Sequence, residues 1–272
     1  MNSKTVDINK KDELVYITFP KLTRCGAVKH AFSTRLGGVS EGQFSSMNMS
    51  FRNGDERDSV EKNYEILCSA IGIDTSDLVL SRQTHTSNVV AVNYGHRGTG
   101  YSKPSFEDVD GLITNEEGVA LVTQYADCTP LLFCDPVKRV IATSHAGWRG
   151  TVGMIGAVTV EKMVREYGCA REDIIAAIGP CIGPCCYEVD APVYDAFMSL
   201  KLEHDRFFTV KDKEHWMLDL REANRQILVN SGVLNENIDI ADICTCCNSD
   251  ELHSHRATAG KRGNLAAIIA LK

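Results

Sequence analysis

Three polar segments interrupt apolar stretches of this chain, and each carries a residue able to hold a metal ion or a proton. "SRQTHTSNVV" (81–90) places Gln83 and His85 between two apolar runs. "YADCTPLLF" (125–133) places Asp127 and Cys128 between two β-type runs, and "SHAGWRGT" (144–151) places His145 at the end of the next one. A His, Cys, His set suits zinc. Imidazole and thiolate match this borderline-soft ion, and three protein ligands leave a fourth position for water or substrate. Such an open site lowers the pKa of bound water toward neutrality and can generate a nucleophile. Cys128 and His145 fall on consecutive predicted strands, so bringing them together takes little loop entropy. The set has no compact H-E-x-x-H spacing, so residue type alone leaves buried-thiol and capping-histidine roles open.

His145 is followed by "GWRGTVGMIGAV" (147–158), which leads into a predicted helix. Free backbone N–H groups there, with Arg149 and Gly150, would form an anion cradle suited to phosphate or carboxylate. The plainer reading is a strand-to-helix turn in which glycine only relieves crowding. Trp148 packs behind the site or closes the turn. Two further cysteine groups are "CIGPCC", with Cys181, Cys185 and Cys186, and "CTCC", with Cys244, Cys246 and Cys247. They read as reduced structural thiols, with a second metal site or oxidative pairing as the alternatives. His30, His96, His204 and His215 have no partner visible in sequence and default to surface or structural roles. Trp216 and Tyr187 read as packing residues, and "GKRGN" (260–264) reads as a solvated loop.

These residues need a scaffold, and the chain spells out a continuous α/β one. Strands are expected over 14–19, 28–34, 88–93, 110–115, 119–126, 130–135 and 139–146. The last three follow one another with turn-sized gaps, which favours local antiparallel pairing. Helices are expected near 56–72, behind Asp55 as a cap, and near 151–167, 190–199 and 219–231. The last would bury Leu220, Ala223, Ile227 and Leu228 on one face. No repeat or low-complexity linker divides the chain, so residues 1–272 read as a single α/β domain.

The 272 residues are 43% hydrophobic and 24% charged, which supports a stable core and excludes disorder as the default. The net charge of -7 comes without a basic stripe, which argues against a nucleic-acid or membrane-surface binder. The N-terminal segment lacks the apolar stretch of a signal peptide, and the longest apolar run, "LAAIIAL" (265–271), is far too short to span a bilayer. Eleven cysteines without an export signal suggest a cytoplasmic protein with reduced thiols.

"FSTRLGGVSEGQFSSMNMS", "QTH", "DVDGLIT", "ADCTPLLFCD", "HAGWRGT", "IGPCIGPCCYEV", "LDLREANRQIL" and "CT…SHR" together resemble the YfiH-like laccase-domain family, also called the polyphenol oxidase family. The matches run in order from about residue 30 to the C-terminus, leaving residues 1–25 as an N-terminal segment outside the motifs. The resemblance implies a single domain with mixed β-sheets in a layered α/β/β/α sandwich, related to a group of cysteine hydrolases. It implies zinc ligation by His85, Cys128 and His145, and contact of Arg256 with substrate or phosphate. Asn48, Arg52, Asp127 and Arg149 carry over as pocket residues without assigned roles. The family pattern requires only the "CT" pair among the clustered cysteines, so the others are a departure.

The activity implied by the resemblance is phosphorolysis of purine nucleosides (adenosine, inosine, methylthioadenosine) with adenosine deamination beside it. A cysteine or zinc hydrolase editing peptidoglycan precursors, with Cys128 as nucleophile, is the alternative from the same resemblance. A nucleoside- or phosphate-binding protein without turnover is the non-enzymatic reading. The family's other name suggests a copper oxidase. Multicopper chemistry calls for many paired histidines, however, and this chain has eight, with His253 and His255 as its only H-x-H pair. Copper at the His, Cys, His set would reflect its higher affinity for such ligands.

Overall fold

The computed structural model describes all 272 residues. Two six-stranded mixed sheets and a small three-stranded sheet carry the fold. The first sheet orders β1 (Asp7–Lys11), β2 (Leu14–Thr18), β3 (Val28–Ser33), β15 (Leu265–Leu271), β7 (Ala120–Tyr125) and β4 (Leu78–Leu80) side by side. The second orders β14 (Ile238–Ile240), β10 (Ile175–Ile178), β8 (Thr129–Asp135), β9 (Val140–Ala146), β6 (Gly111–Thr114) and β5 (Val89–Ala91). The third consists of β11 (Glu188–Asp190), β13 (His215–Leu218) and β12 (Phe208–Val210). The helices are α1 (Pro20–Arg24), α2 (Arg57–Ile71), α3 (Trp148–Val152), α4 (Ile155–Tyr167), α5 (Ala191–Met198), α6 (Leu220–Asn230) and α7 (His255–Thr258).

The two large sheets pack face to face. Ile17, Phe32, Leu121 and Ile269 of the first meet Leu112, Leu132, Ile141 and Ala177 of the second in one buried cluster. The opposite face of the first sheet, through Ala31, Val122 and Ile268, takes Val60, Tyr64 and Leu67 of α2. The opposite face of the second, through Leu131, Phe133 and Ala142, takes Ile155, Val160 and Met163 of α4 and Leu228 of α6. The result is the α/β/β/α layering that the family resemblance implied. Strands buried on both faces read as near-continuous apolar runs rather than alternating ones. "LAAIIAL" is such a strand: β15 pairs antiparallel with both β3 and β7, and all seven of its residues are buried. No helix is long and apolar enough to cross a membrane.

The expected antiparallel pairing holds for β8 and β9, in register from Thr129 opposite Ala146 to Asp135 opposite Val140. It fails for β7, which pairs antiparallel with β15 and parallel with β4 in the other sheet. Between Tyr125 and Thr129 the chain therefore crosses from one sheet to the next in three residues, Ala126, Asp127 and Cys128. Asp127 takes the left-handed backbone conformation (φ 83°) at this corner. The residues expected to do chemistry thus sit where the two sheets meet.

Two helix expectations need correction. The helix over 151–167 is two helices, because Met154 adopts a left-handed conformation (φ 58°) between α3 and α4. Asp55 does not cap α2, whose N-cap is Glu56. The Asp55 carboxylate instead accepts hydrogen bonds from Ser40 Oγ (2.7 Å) and Asn48 Nδ2 (2.9 Å), tying down the loop ahead of the helix. Residues 1–25, outside the recognisable motifs, supply β1, β2 and α1 and complete one edge of the first sheet.

Candidate metal centre

His85, Cys128 and His145 converge, with one potential ligand atom from each lying within 4.8 Å of the others. The His85 and His145 rings are 4.8 Å apart at 62°. His145 is the penultimate residue of β9, Cys128 closes the sheet-crossing corner, and His85 lies in the loop between β4 and β5. That loop is wound around one carboxylate. Asp110, fully buried, accepts the backbone N–H groups of Thr84 (3.0 Å), His85 (3.0 Å) and Thr86 (2.9 Å) and the Thr86 hydroxyl (2.9 Å). The same carboxylate meets His145 Nδ1 at 2.8 Å. This fixes the His145 ring and leaves its Nε2 for whatever occupies the centre, the carboxylate–histidine arrangement that supports metal ligands.

The electrostatics follow from that packing. Burial opposes charge on Asp110, but the hydrogen bonds from His145, Thr86 and Thr84 prevail and hold its pKa below the ordinary carboxylate value. Burial likewise opposes the Cys128 thiolate, yet His145 and His85 bring its pKa down to about 6. Burial would also discharge His145, and the Cys128 and Asp110 charges raise it to about 9 instead. In the metal-free protein Cys128 and His145 are therefore a thiolate–imidazolium pair across neutral pH.

The donor set fits a metal, and the backbone keeps room for one. A Cβ on Gly147 would lie 2.7 Å from His85 Nδ1 and 2.9 Å from Cys128 Sγ, so any side chain there would displace the two ligand atoms. His85 itself has a left-handed backbone (φ 66°), a conformation a non-glycine residue keeps only where its surroundings impose it. Beneath the centre, Thr123 of β7 and Thr143 of β9 share a buried hydrogen bond (2.6 Å) that links the two sheets, and the Tyr125 hydroxyl reaches Ser144 O (3.0 Å).

The three residues lie in a cleft of about 510 Å³. Its lining includes Arg52, Arg256 and Arg262, and Asp127 is its one carboxylate. Asp127 Oδ1 accepts from the Thr245 hydroxyl (2.6 Å) and Oδ2 from the backbone N–H of Arg256 (2.7 Å). The Arg256 guanidinium donates to the carbonyls of Cys186 (3.0 Å) and Glu188 (3.1 Å) and sits over the Tyr187 ring at 5.4 Å. Trp148 lines the cleft and carries the exposed Arg149 guanidinium over its ring at 4.2 Å. A larger open groove of about 1050 Å³ between β5 and α4 carries Lys162, Arg165 and Arg171 with Glu107, Asp108 and Glu161, but neither potential metal cluster.

Some expected residues sit elsewhere. Asn48 is fully buried behind the cleft wall, where its Oδ1 accepts from Ser50 N (3.0 Å) and Asn264 N (2.8 Å), two residues that do line the cleft. Gly150 is buried inside α3, where a Cβ would stand 3.0 Å from the His145 carbonyl, so its role is close packing. With only five residues, α3 gives no extended N-terminal cradle. Asp110, Arg262, His255 and Tyr187 belong to the site without having been singled out for it. "GKRGN" is not simply a solvated loop: Arg262 is half-buried and lines the cleft. His30 accepts the Phe19 N–H, His96 caps a short turn, and His204 and His215 bond to Phe197 O and Asp212, as structural histidines should. Trp216 packs on Tyr194 at 4.2 Å.

The multi-copper polyphenol oxidoreductase laccase family model matches residues 29–272. The chain belongs to that family. A Bacillus subtilis relative named purine nucleoside phosphorylase YlmD is 37% identical over 243 residues, covering 89% of this chain and 87% of that one. A purine nucleoside phosphorylase of Bacteroides thetaiotaomicron is 34% identical over 258 residues, covering 93% and 95%. The crystal structure of YlmD from Geobacillus stearothermophilus superposes with a TM-score of 0.92 at 32% identity, over 97% of this chain and 98% of that one. The family's description speaks of copper and the relatives' names of nucleosides, so the His, Cys, His centre has to be read on its own chemistry.

Two outcomes follow from the geometry. Gly147→Ala should leave a folded protein whose metal affinity, measured by competition with a chromophoric chelator, is about ten- to hundredfold weaker. In metal-free protein, alkylation of Cys128 followed by peptide mass mapping should reach half its maximal rate near pH 6, because the thiolate persists above about 6. A midpoint at the ordinary thiol value of 8.5 would mean that the two imidazoles do not stabilise it.

Proposed function

We propose that this protein is a zinc-dependent purine nucleoside phosphorylase that also deaminates adenosine. The observation that carries the reading is the imidazole–thiolate cluster set in a cleft with three arginines, in a chain whose relatives bear that name. His85, Cys128 and His145 would hold the ion. Bound there, zinc supplies Lewis acidity that offsets negative charge and lets a water ionise near neutral pH.

The chain's own groups account for the rest. In phosphorolysis a phosphate oxygen bonds to the anomeric carbon as the bond to the base breaks, and the base leaves with the electron pair. Arg52, Arg256 and Arg262 offer the guanidinium donors that a phosphate needs, on the cleft wall rather than in free solution. Arg149, held over Trp148, adds positive charge nearby. Trp148 and Tyr187 line the cleft and offer apolar ring surface to a purine base. Asp127, whose carboxylate is held by Thr245 and the Arg256 N–H, is the proton-handling group for deamination, in which water replaces the exocyclic amine. Asp110 touches no substrate and acts by holding His145 and the His85 loop.

Zinc is favoured over a copper redox centre by the donor set. A blue-copper site adds a weak axial ligand, usually methionine, to two histidines and a cysteine, and no methionine lines the cleft. A second reading rests on the Asp110–His145–Cys128 sequence of contacts, which is also the order of orienter, base and nucleophile in a cysteine hydrolase. A cytoplasmic location would suit either activity, because a reducing compartment keeps the free cysteines available as thiolate ligands.

The test is product analysis from adenosine with and without phosphate, before and after metal removal. Adenine plus ribose 1-phosphate should form only with phosphate, inosine should form in both conditions, and chelation should abolish both. Full activity in metal-free protein overturns the zinc reading. Chelator-resistant, alkylation-sensitive amidase activity with no turnover of adenosine would establish the hydrolase instead.

A further inference from the structure

The structure brings four of the six clustered cysteines to a second point. Ligand atoms of Cys185, Cys186, Cys244 and Cys247 all lie within 4.8 Å of one another. Cys185 Sγ and Cys186 Sγ each stand 3.4 Å from Cys247 Sγ. Tetrahedral zinc with bonds of about 2.3 Å to sulfur sets sulfur–sulfur separations of about 3.8 Å, so these thiols need only small shifts to enclose the ion. Cys181 is left out, buried with its thiol directed to the Ile182 carbonyl. Cys246, half-buried, also lies outside the group.

We propose that Cys185, Cys186, Cys244 and Cys247 form a structural tetrathiolate zinc site, separate from the His85–Cys128–His145 centre. Three features beyond proximity support it. Cys244 and Cys247 are a C-x-x-C pair, and the tight turn between them points the Cys247 N–H at Cys244 Sγ (3.5 Å). The Gly183 N–H reaches the same sulfur at 3.2 Å, so two backbone donors aim at an atom that accepts them best as a thiolate. A side chain at Gly183 would crowd the cluster. A Cβ there would stand 3.2 Å from Cys244 Cβ, 3.3 Å from Cys185 Sγ and 3.3 Å from Arg221 Nη2, which places a guanidinium beside the anionic cluster.

A disulfide accounts for less of this arrangement. Cys185 and Cys186 approach Cys247 equally closely, so one bridge would strand the other thiol and leave Cys244 with its donors and no bond. A tetrahedral ion uses all four sulfurs and also closes a loop between residues 62 positions apart. Binding involves no redox change: each thiol releases its proton to solvent as it ligates.

The site would act on the cleft by position. It clamps the segment after Cys181 to the one after Cys244, already joined by the Thr245 N–H to Cys181 O bond (3.0 Å). Thr245, between two of the ligands, donates to Asp127, and the Cys186 carbonyl accepts from Arg256. Tyr187 follows directly on Cys186. One wall of the cleft is thereby stapled by an ion that never meets substrate.

The experiment is zinc counting on the full-length protein purified without chelator, by elemental analysis and native mass spectrometry. Wild type should carry two zinc ions per chain, His85→Ala/His145→Ala one, and Cys185→Ser/Cys247→Ser one. Should the cysteine variant not fold, the His85→Ala/His145→Ala protein still decides, because any zinc it retains sits away from the histidine centre. Zinc should slow alkylation of Cys185 and Cys247, mapped by mass, by more than an order of magnitude relative to chelated protein. Cobalt in the His85→Ala/His145→Ala protein should show the intense thiolate charge-transfer bands of a tetrathiolate. Loss of all zinc from the His85→Ala/His145→Ala protein, alkylation unaffected by zinc, or a disulfide from Cys247 to Cys185 or Cys186 in freshly isolated protein would each overturn the assignment. None of these readouts depends on the reaction catalysed at the other centre.

Discussion

The hydrogen bonds converging on the Asp110 carboxylate are the interaction on which the site depends. A buried carboxylate is unfavourable unless donors satisfy it, and Asp110 collects three backbone N–H groups, a hydroxyl and an imidazole. Those donors come from the His85 loop and from β9, two parts of the chain that no regular pairing joins at that point. One charge therefore shapes the His85 loop, orients His145 and sets the polarity of the thiolate–imidazolium pair. Removing it would leave several buried N–H groups without acceptors as well as an untethered ligand.

The sheet architecture supplies the second constraint. β7 and β8 follow each other in sequence but belong to facing sheets, so three residues must turn the chain through the sandwich. That corner holds Asp127 in a left-handed conformation and presents Cys128 beside His145. Buried contacts on both sides, including the Thr123–Thr143 bond between the sheets, keep the corner from relaxing. Loops carry the site, while the two packed sheets give it rigidity.

Much of this was legible in sequence, for identifiable reasons. The seven expected strands and the helices at α2, α5 and α6 appear, because apolar runs and helical spacing report burial directly. His85, Cys128 and His145 stood out because each breaks its own apolar context. The destination of β7 was hidden, since a short gap between strands does not say whether the chain turns back or crosses to another sheet. Asp110 was passed over although it sits in "DVDGLIT". Its partners are backbone N–H groups, which leave no residue-type signature. Arg262 was passed over because a glycine-flanked lysine–arginine pair looks the same whether its loop faces solvent or folds over a cleft. Asp55 was misread for a related reason: an acid ahead of a helix resembles a cap, and only the positions of Ser40 and Asn48 reveal its actual partners.

The most direct measurement is the affinity of the three-residue centre for added zinc in Asp110→Asn beside wild type, by chelator competition with Cys185 and Cys247 replaced by serine in both. Losing the carboxylate charge behind His145 should weaken that affinity by about ten- to hundredfold. Wild-type affinity in the Asp110→Asn protein would contradict the view that this carboxylate organises the centre.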